Sequence, residues 1–488
     1  MIPRRIQLLV LILGTAACCL PAVAVPTQRV DASGGYAVVV SKETSDDPQW
    51  NAVVEALVRK YAAEVLVYEG DVANSMEPLK KAFPRYACFV ASPEEATREF
   101  VVAVHRLTRK LDDDPYTDVV WGILTGYSPQ DAMRIVAADK PLVIRKAAAG
   151  TGINLDLFDE GVWYSEGQQG VYHEKKPGGK PEKKQGPDDS TKALVDVFND
   201  YRPDLFLTSG HATDRDWQIG YSYRNGQFRC KDGVLLGIDT AGRGYLIRSP
   251  NPKVYLPVGN CLMGRIRDRQ SMALAWMGSG GVNQMIGYVV STWYGKGGWG
   301  TRDYLFSEPG RYTLSEAFYF NNQTIVHQLE TRFPKTARAE FDRWNIETDP
   351  RLIGKLTASL GYRSFDNDVK DNVGLLWDRD TVAFYGDPAW EARLTPRELP
   401  FDQRLSIEAG VYTFQIDVRE DGTPGRQPAM LLPHRVKEVE IVEGREFAPL
   451  ITDNFIMLME PGKFEKGKTY RVVFRAERML QSAPIGRP

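Results

Sequence analysis

The sequence is short of the residues that would decide its class by number. Its 488 residues include 5 cysteines and 5 histidines, and 61 Lys+Arg against 63 Asp+Glu leave a formal net charge of −2. So few cysteines exclude a disulfide scaffold. So even a charge balance supplies no basic stripe, and no nucleic-acid partner is expected. Beyond the first 24 residues no stretch is apolar for long enough to cross a bilayer as a helix, which takes roughly 20 residues. No integral membrane segment is expected in the mature chain.

Residues 1–24 read as a signal peptide. Arg4 and Arg5 precede a short apolar stretch, Leu8 to Leu20, and Ala22-Val23-Ala24 puts small residues at the −3 and −1 positions of a cut. Export is therefore expected, to the periplasm, the cell surface or the medium. Cys18 and Cys19 leave with that segment. Cys88, Cys230 and Cys261 remain, an odd number, so at least one thiol stays free.

What the sequence does have is alternation. Tyr36–Val40, Val65–Tyr68, Cys88–Ala91 and Val119–Leu124 read as strands. Between and after them, Trp50–Ala62, Met76–Phe83, Glu94–Leu111 and Pro129–Ala138 carry apolar residues at helical spacing. Alternating strands and helices argue for parallel pairing with helices on the sheet faces. A polar stretch from His173 to Ser190 reads as a solvated loop. Strands resume at Leu205–Thr208, Val234–Ile238, Lys253–Val258 and Met285–Val290, with a helix near Ser271–Met277. Residues 302–377 read as largely helical before a strand at Thr381–Tyr385. After Pro400 short strands follow one another without helices, as in a small sandwich. The expected organisation is a signal peptide (1–24), a first α/β subdomain (25–150), a catalytic α/β subdomain (151–398) and a β-sandwich (399–480).

Two strand ends carry the chemistry. Leu205–Thr208 runs into Ser209-Gly210-His211-Ala212, and Val254–Val258 runs into Gly259-Asn260-Cys261. In open α/β sheets functional groups collect beyond the carboxyl ends of strands. A thiol has a pKa near 8.5 and needs a neighbouring base to act as a nucleophile at neutral pH; an imidazole near 6.5 supplies one. His211 and Cys261 are the candidate base and nucleophile. The backbone N–H groups of Ala212 and Cys261 are the candidate oxyanion donors, and Gly210, Ala212 and Gly259 are expected to leave room for a substrate backbone. Singly, a cysteine closing a strand is more often a small core residue; it is the pairing that lifts these two. Cys88 sits mid-strand and reads as core, Cys230 lies in a polar hairpin, and His105, His173, His327 and His434 have no comparable setting.

SGHATDRDW (209–217) resembles the histidine motif of the gingipain family of cysteine peptidases, and LPVGNCLMG (256–264) resembles its nucleophile strand. Gly280-Gly281, Ile286–Val290 and Ser291-Thr292-Trp293 with Trp299 are similar to the following strand and pocket wall, and YGDPAWEARL (385–394) to the motif that closes the catalytic domain. The resemblance implies a caspase-like α/β fold with helices on both sheet faces, followed by an immunoglobulin-like β-sandwich. It implies a secreted cysteine endopeptidase acting on protein or peptide through a thioester acyl-enzyme. Cys261 would be the nucleophile and His211 the base, with Ser291, Thr292, Trp293 and Trp299 in contact with substrate. It implies no metal or organic cofactor for catalysis, although structural calcium accompanies the family. The chain departs from the pattern twice. Ala212 stands where the family has glycine, and the supporting acids have no one-to-one match among Asp156, Asp159, Glu160 and Glu166, which leaves the P1 preference open. Two other functions use the same residues: an inactive peptidase-like scaffold that binds or adheres, and a transpeptidase. The turn at Asp387-Pro388 reads as structural.

Overall fold

The computed structural model describes residues 35–340, 352–363 and 366–479; the expected signal peptide and parts of the helical stretch at 302–377 lie outside them. The β-branched runs form strands where their pattern places them: β1 Tyr36–Ser41, β2 Glu64–Tyr68, β3 Tyr86–Val90, β4 Val120–Leu124. They are joined by β5 Lys146–Ala149, β6 Glu160–Tyr164, β7 Val171–Lys175, β8 Glu182–Gln185, β9 Leu205–Thr208, β10 Lys253–Pro257, β11 Val282–Tyr288 and β12 Val382–Tyr385. All twelve make one sheet in the order β2-β1-β3-β4-β12-β11-β10-β9-β5-β6-β7-β8. β1, β3, β4, β10 and β11 are buried at every residue, so both faces of the sheet are covered. Local chemistry sets the helix starts. Asp47 accepts from Gln49 and Trp50 N–H ahead of Pro48–Tyr61, and Thr313 and Glu316 form a capping box ahead of Leu314–Arg332.

The sheet is two parallel blocks set head to tail. Pairing is parallel from β2 through β12 and again from β11 through β6, but β11 and β12 are antiparallel. The carboxyl ends of the two blocks therefore leave by opposite edges, and the edge beyond β9 and β10 belongs to the second block alone.

Two stretches differ from their sequence reading. The polar segment after residue 170 is not a loop throughout: β7 and β8 form an antiparallel hairpin that extends β6 at the sheet edge, with His173 inside β7. Aromatic pairing supplies what apolar composition lacks, since Trp163 stacks on His173 (4.4 Å, 1°) and Tyr164 on Tyr172 (5.3 Å, 20°). The lysines of β8 then blunt the outer edge. Val234–Ile238 joins no strand of the main sheet but belongs to a separate four-stranded antiparallel sheet with 216–218, 227–231 and 244–247. The molecule is a mixed α/β structure with one large, mostly parallel sheet and several small antiparallel ones.

After residue 400 the strands form sheets of four and three, and Phe401, Phe414, Ile416, Ile456, Leu458, Val472 and Phe474 from both share one buried core. Arg435 fastens this β region to the first block. Its guanidinium lies over the Phe83 ring at 3.5 Å and donates to Pro84 O (2.8 Å) and Asp118 O (2.7 Å). No helix among the described residues is long and apolar enough to cross a membrane.

Candidate active site

β9 and β10 are parallel neighbours in the register Leu205↔Val254 to Thr208↔Pro257. Both segments therefore leave the same edge side by side, one carrying His211 and the other Cys261. Buried Asn260 ties the two exits together: Thr208 Oγ1 donates to Asn260 Oδ1 (2.6 Å), and Asn260 Nδ2 donates to Gly210 O (3.0 Å). Gly210 has φ +91°, a left-handed turn that glycine adopts freely, and it swings the chain out of the strand just before His211. Leu262, with φ +58°, does the same just after Cys261. His211 is exposed and Cys261 half-buried. The thiol donates to Thr292 O at 3.8 Å, and no hydrogen bond joins it to the His211 ring.

The two candidate oxyanion donors are unused within the protein: neither the Ala212 nor the Cys261 N–H donates a bond among the described residues. The residues that follow His211 in its motif build the loop rather than the chemistry. Thr213 Oγ1 accepts from Arg215 N–H (3.0 Å) and Asp216 N–H (3.2 Å). Asp214 is buried with Arg267 Nε at 3.0 Å. Trp217 is fully buried, donates to Ser209 O at 3.2 Å, and lies where a side chain on Gly150 would be, 2.4 Å from an added Cβ.

The glycine beside the thiol has a different use from the one expected. An added Cβ on Gly259 would stand 3.3 Å from both Ser209 and Trp299, so that space is filled by packing and is not open to substrate. Trp299, half-buried, lies under the Arg302 guanidinium at 4.4 Å. Ser291 is exposed and its carbonyl accepts from Trp377 Nε1 (3.0 Å); Trp293 packs edge-on against Trp377 at 6.2 Å. Thr292 Oγ1 donates to Asn260 O (2.9 Å), which fixes this wall to the nucleophile segment.

The structure separates the four acids. Asp156, Asp159 and Glu160 stand at the amino end of β6, in ion pairs with Lys175, Arg145 and Lys146 respectively. Glu166 stands past its carboxyl end. Its Oε1 accepts from Thr151 Oγ1 (2.8 Å) and Gly152 N–H (3.3 Å), and Ser209 Oγ donates in turn to Thr151 Oγ1 (2.9 Å). Its Oε2 is sheltered from solvent without a hydrogen-bond partner. The signal that could have singled out Glu166 was positional: it alone follows its strand. Tyr221, not noticed in the sequence, stacks on the His211 ring with centroids 4.9 Å apart and planes at 25°.

A second group of acids lies in the first block. Asp112, Asp114 and Asp118, ahead of β4, bring carboxylate oxygens within 4.8 Å of one another. Such hard donors suit calcium in kind, but calcium takes six to eight oxygens. Three of theirs already accept N–H groups of Asp114, Tyr116 and Leu111 and shape the loop.

No family model and no curated protein matches the chain. Among solved structures it is similar to the complex of pro- and mature domains of RgpB from Porphyromonas gingivalis, with TM-score 0.42 and 11% identity over 92% of this chain and 94% of that one. A likeness at that score and identity decides neither fold family nor chemistry.

Proposed function

We propose that the protein is an exported cysteine peptidase on a caspase-like scaffold with an immunoglobulin-like sandwich behind it. Cys261 attacks the scissile carbonyl, and His211 takes the thiol proton and returns it to the leaving amine. The Ala212 and Cys261 N–H groups receive the oxyanion. Water, activated by His211, then attacks the thioester and releases Cys261. Glu166, reached through Thr151 and Ser209, is the acid that braces the histidine segment. The observation that carries this reading is the parallel β9/β10 register, which sends an imidazole and a thiol out of one sheet edge on adjacent segments. Catalytic bonds in unliganded sites are commonly long and tighten only with substrate.

A second reading, a peptidase-like scaffold without catalysis, is favoured by the thiol's bond to Thr292 O in place of the His211 ring. One experiment separates them. The protein, incubated with a peptide library, is expected to cleave it, and the Cys261→Ala variant to lose that cleavage. Equal cleavage by both removes Cys261 from the mechanism, and cleavage by neither favours the scaffold. Added amine nucleophiles appearing in the products would mark transpeptidation through the same acyl-enzyme.

A further inference from the structure

A histidine that serves a cysteine is usually held by a third group, most often a hydrogen-bond acceptor behind the ring. Among the described residues no group hydrogen-bonds the His211 ring; what touches it is the face of Tyr221. Tyr221 is 56% exposed, so burial of the ring in the core does not account for its place. Its backbone is pinned instead: the N–H groups of Tyr221 and Ser222 donate to Glu166 O at 2.7 and 3.0 Å. The ring lies over Gly210, where an added Cβ would stand in ordinary contact with it at 3.5 Å.

We infer that Tyr221 is the positioning residue of His211: its ring face fixes the imidazole and favours the imidazolium that accompanies a Cys261 thiolate. The inference rests on the dyad reading above. The physical ground is the negative face of an aromatic ring, which attracts a cation stacked on it. The titratable side chains on the segments that meet there are Cys261 after β10, Glu166 after β6, and Asp214, Arg215, Asp216 and Tyr221 on the histidine's own loop, with Asp214 held by Arg267. Glu166 spends its Oε1 on Thr151 and Gly152, which leaves the ring stack as the direct restraint on His211.

The test is the pH profile of Cys261 alkylation by iodoacetamide in the whole protein, read on the Cys261 peptide by mass spectrometry. Tyr221→Ala and Tyr221→Leu are expected to slow alkylation at neutral pH about threefold and to displace the profile to higher pH. Tyr221→Phe keeps the ring face and is expected to retain the parent profile. A Tyr221→Leu profile that superimposes on the parent overturns the inference, as does a Tyr221→Phe profile shifted as far as that of Tyr221→Leu. His211→Ala separates the two levels: if it leaves the profile unchanged, the dyad falls and the positioning role with it. If it changes the profile while Tyr221→Leu does not, the positioning role alone falls. The leucine variant keeps an apolar cover on an exposed position, so folding is not at issue.

Discussion

Each block of the central sheet holds a cysteine and a histidine, and the blocks treat them in opposite ways. In the first, Cys88 lies in the middle of β3, paired with Val38 and Gly122, and is fully buried. His105 is 1% exposed, bonds Val382 O through Nε2 at 2.8 Å and packs edge-on against Trp121 at 4.8 Å. Burial, with Asp387 adding to it, pushes the Cys88 thiol far up. Burial likewise pushes the His105 imidazole down to about 4. Both are locked neutral. In the second block the same residue types stand just past strand ends, where left-handed turns at Gly210 and Leu262 carry the chain outward. Residue type is therefore no guide to environment here; position relative to the strand's carboxyl end is.

The contrast is broken most directly at the sulfurs. An electrophilic peptide is expected to label Cys261 and leave Cys88 untouched, as read by mass spectrometry. Cys261→Ala is expected to lower turnover by about 10⁴-fold or more, the usual order for removing a covalent nucleophile, while Cys88→Ala keeps it within about twofold. Label on Cys88 in folded protein would erase the difference between the blocks. The histidines follow at a smaller scale. His211→Ala is expected to lower kcat/KM by about 10²–10⁴, the range for a general acid–base. His105→Gln, which preserves a donor for Val382 O, leaves kcat/KM within a few-fold.

Part of this contrast was legible in the sequence. Cys88 in Tyr86-Ala87-Cys88-Phe89-Val90 is flanked by apolar residues on both sides and reads as core; Cys261 follows Gly259-Asn260 and reads as an exit. The β9 and β10 runs were legible for the same reason, continuous apolar stretches closed by small residues. Their adjacency was not, because pairing partners lie far apart in the chain and no local pattern encodes them. The reversal between β11 and β12 was hidden likewise: periodicity reports a strand but not its direction. The β7–β8 hairpin is not legible in its own polar composition because its cohesion comes from cross-strand aromatic stacking on Trp163 and Tyr164, which lie outside that polar stretch. Glu166 was one acid of four until the end of β6 separated it from the rest. The use of Gly259, a cradle for Trp299, depends on a residue 40 positions away and is invisible to composition.

A third test sharpens the comparison through acid. His105 stays neutral in the fold down to about pH 4, whereas its ordinary value is 6.5. Between those values the unfolded chain binds the proton and the folded one does not. Stability is therefore present above about pH 6.5 and lost as the pH falls toward 4, by up to roughly 3 kcal/mol for a fully buried group. Urea midpoints over this range should fall with pH in the parent and fall less in His105→Gln. Equal slopes in the parent and His105→Gln would show that His105 is not the proton-linked lock of the first block.

The smallest effect concerns what Cys88 is for. Its side chain is fully buried, close to the network in which Tyr36 and Tyr61 donate to Asp387 at 2.9 and 2.6 Å. Cys88→Ala removes one buried sulfur and leaves a small void that β3, paired on both sides, has little freedom to close. A loss of about 1–2 kcal/mol in unfolding free energy is expected, with turnover unchanged. Cys88→Val, which refills the space, should recover part of it. Recovery by bulk alone would assign Cys88 to packing; a turnover defect that valine does not repair would mean that the first block takes part in the chemistry after all.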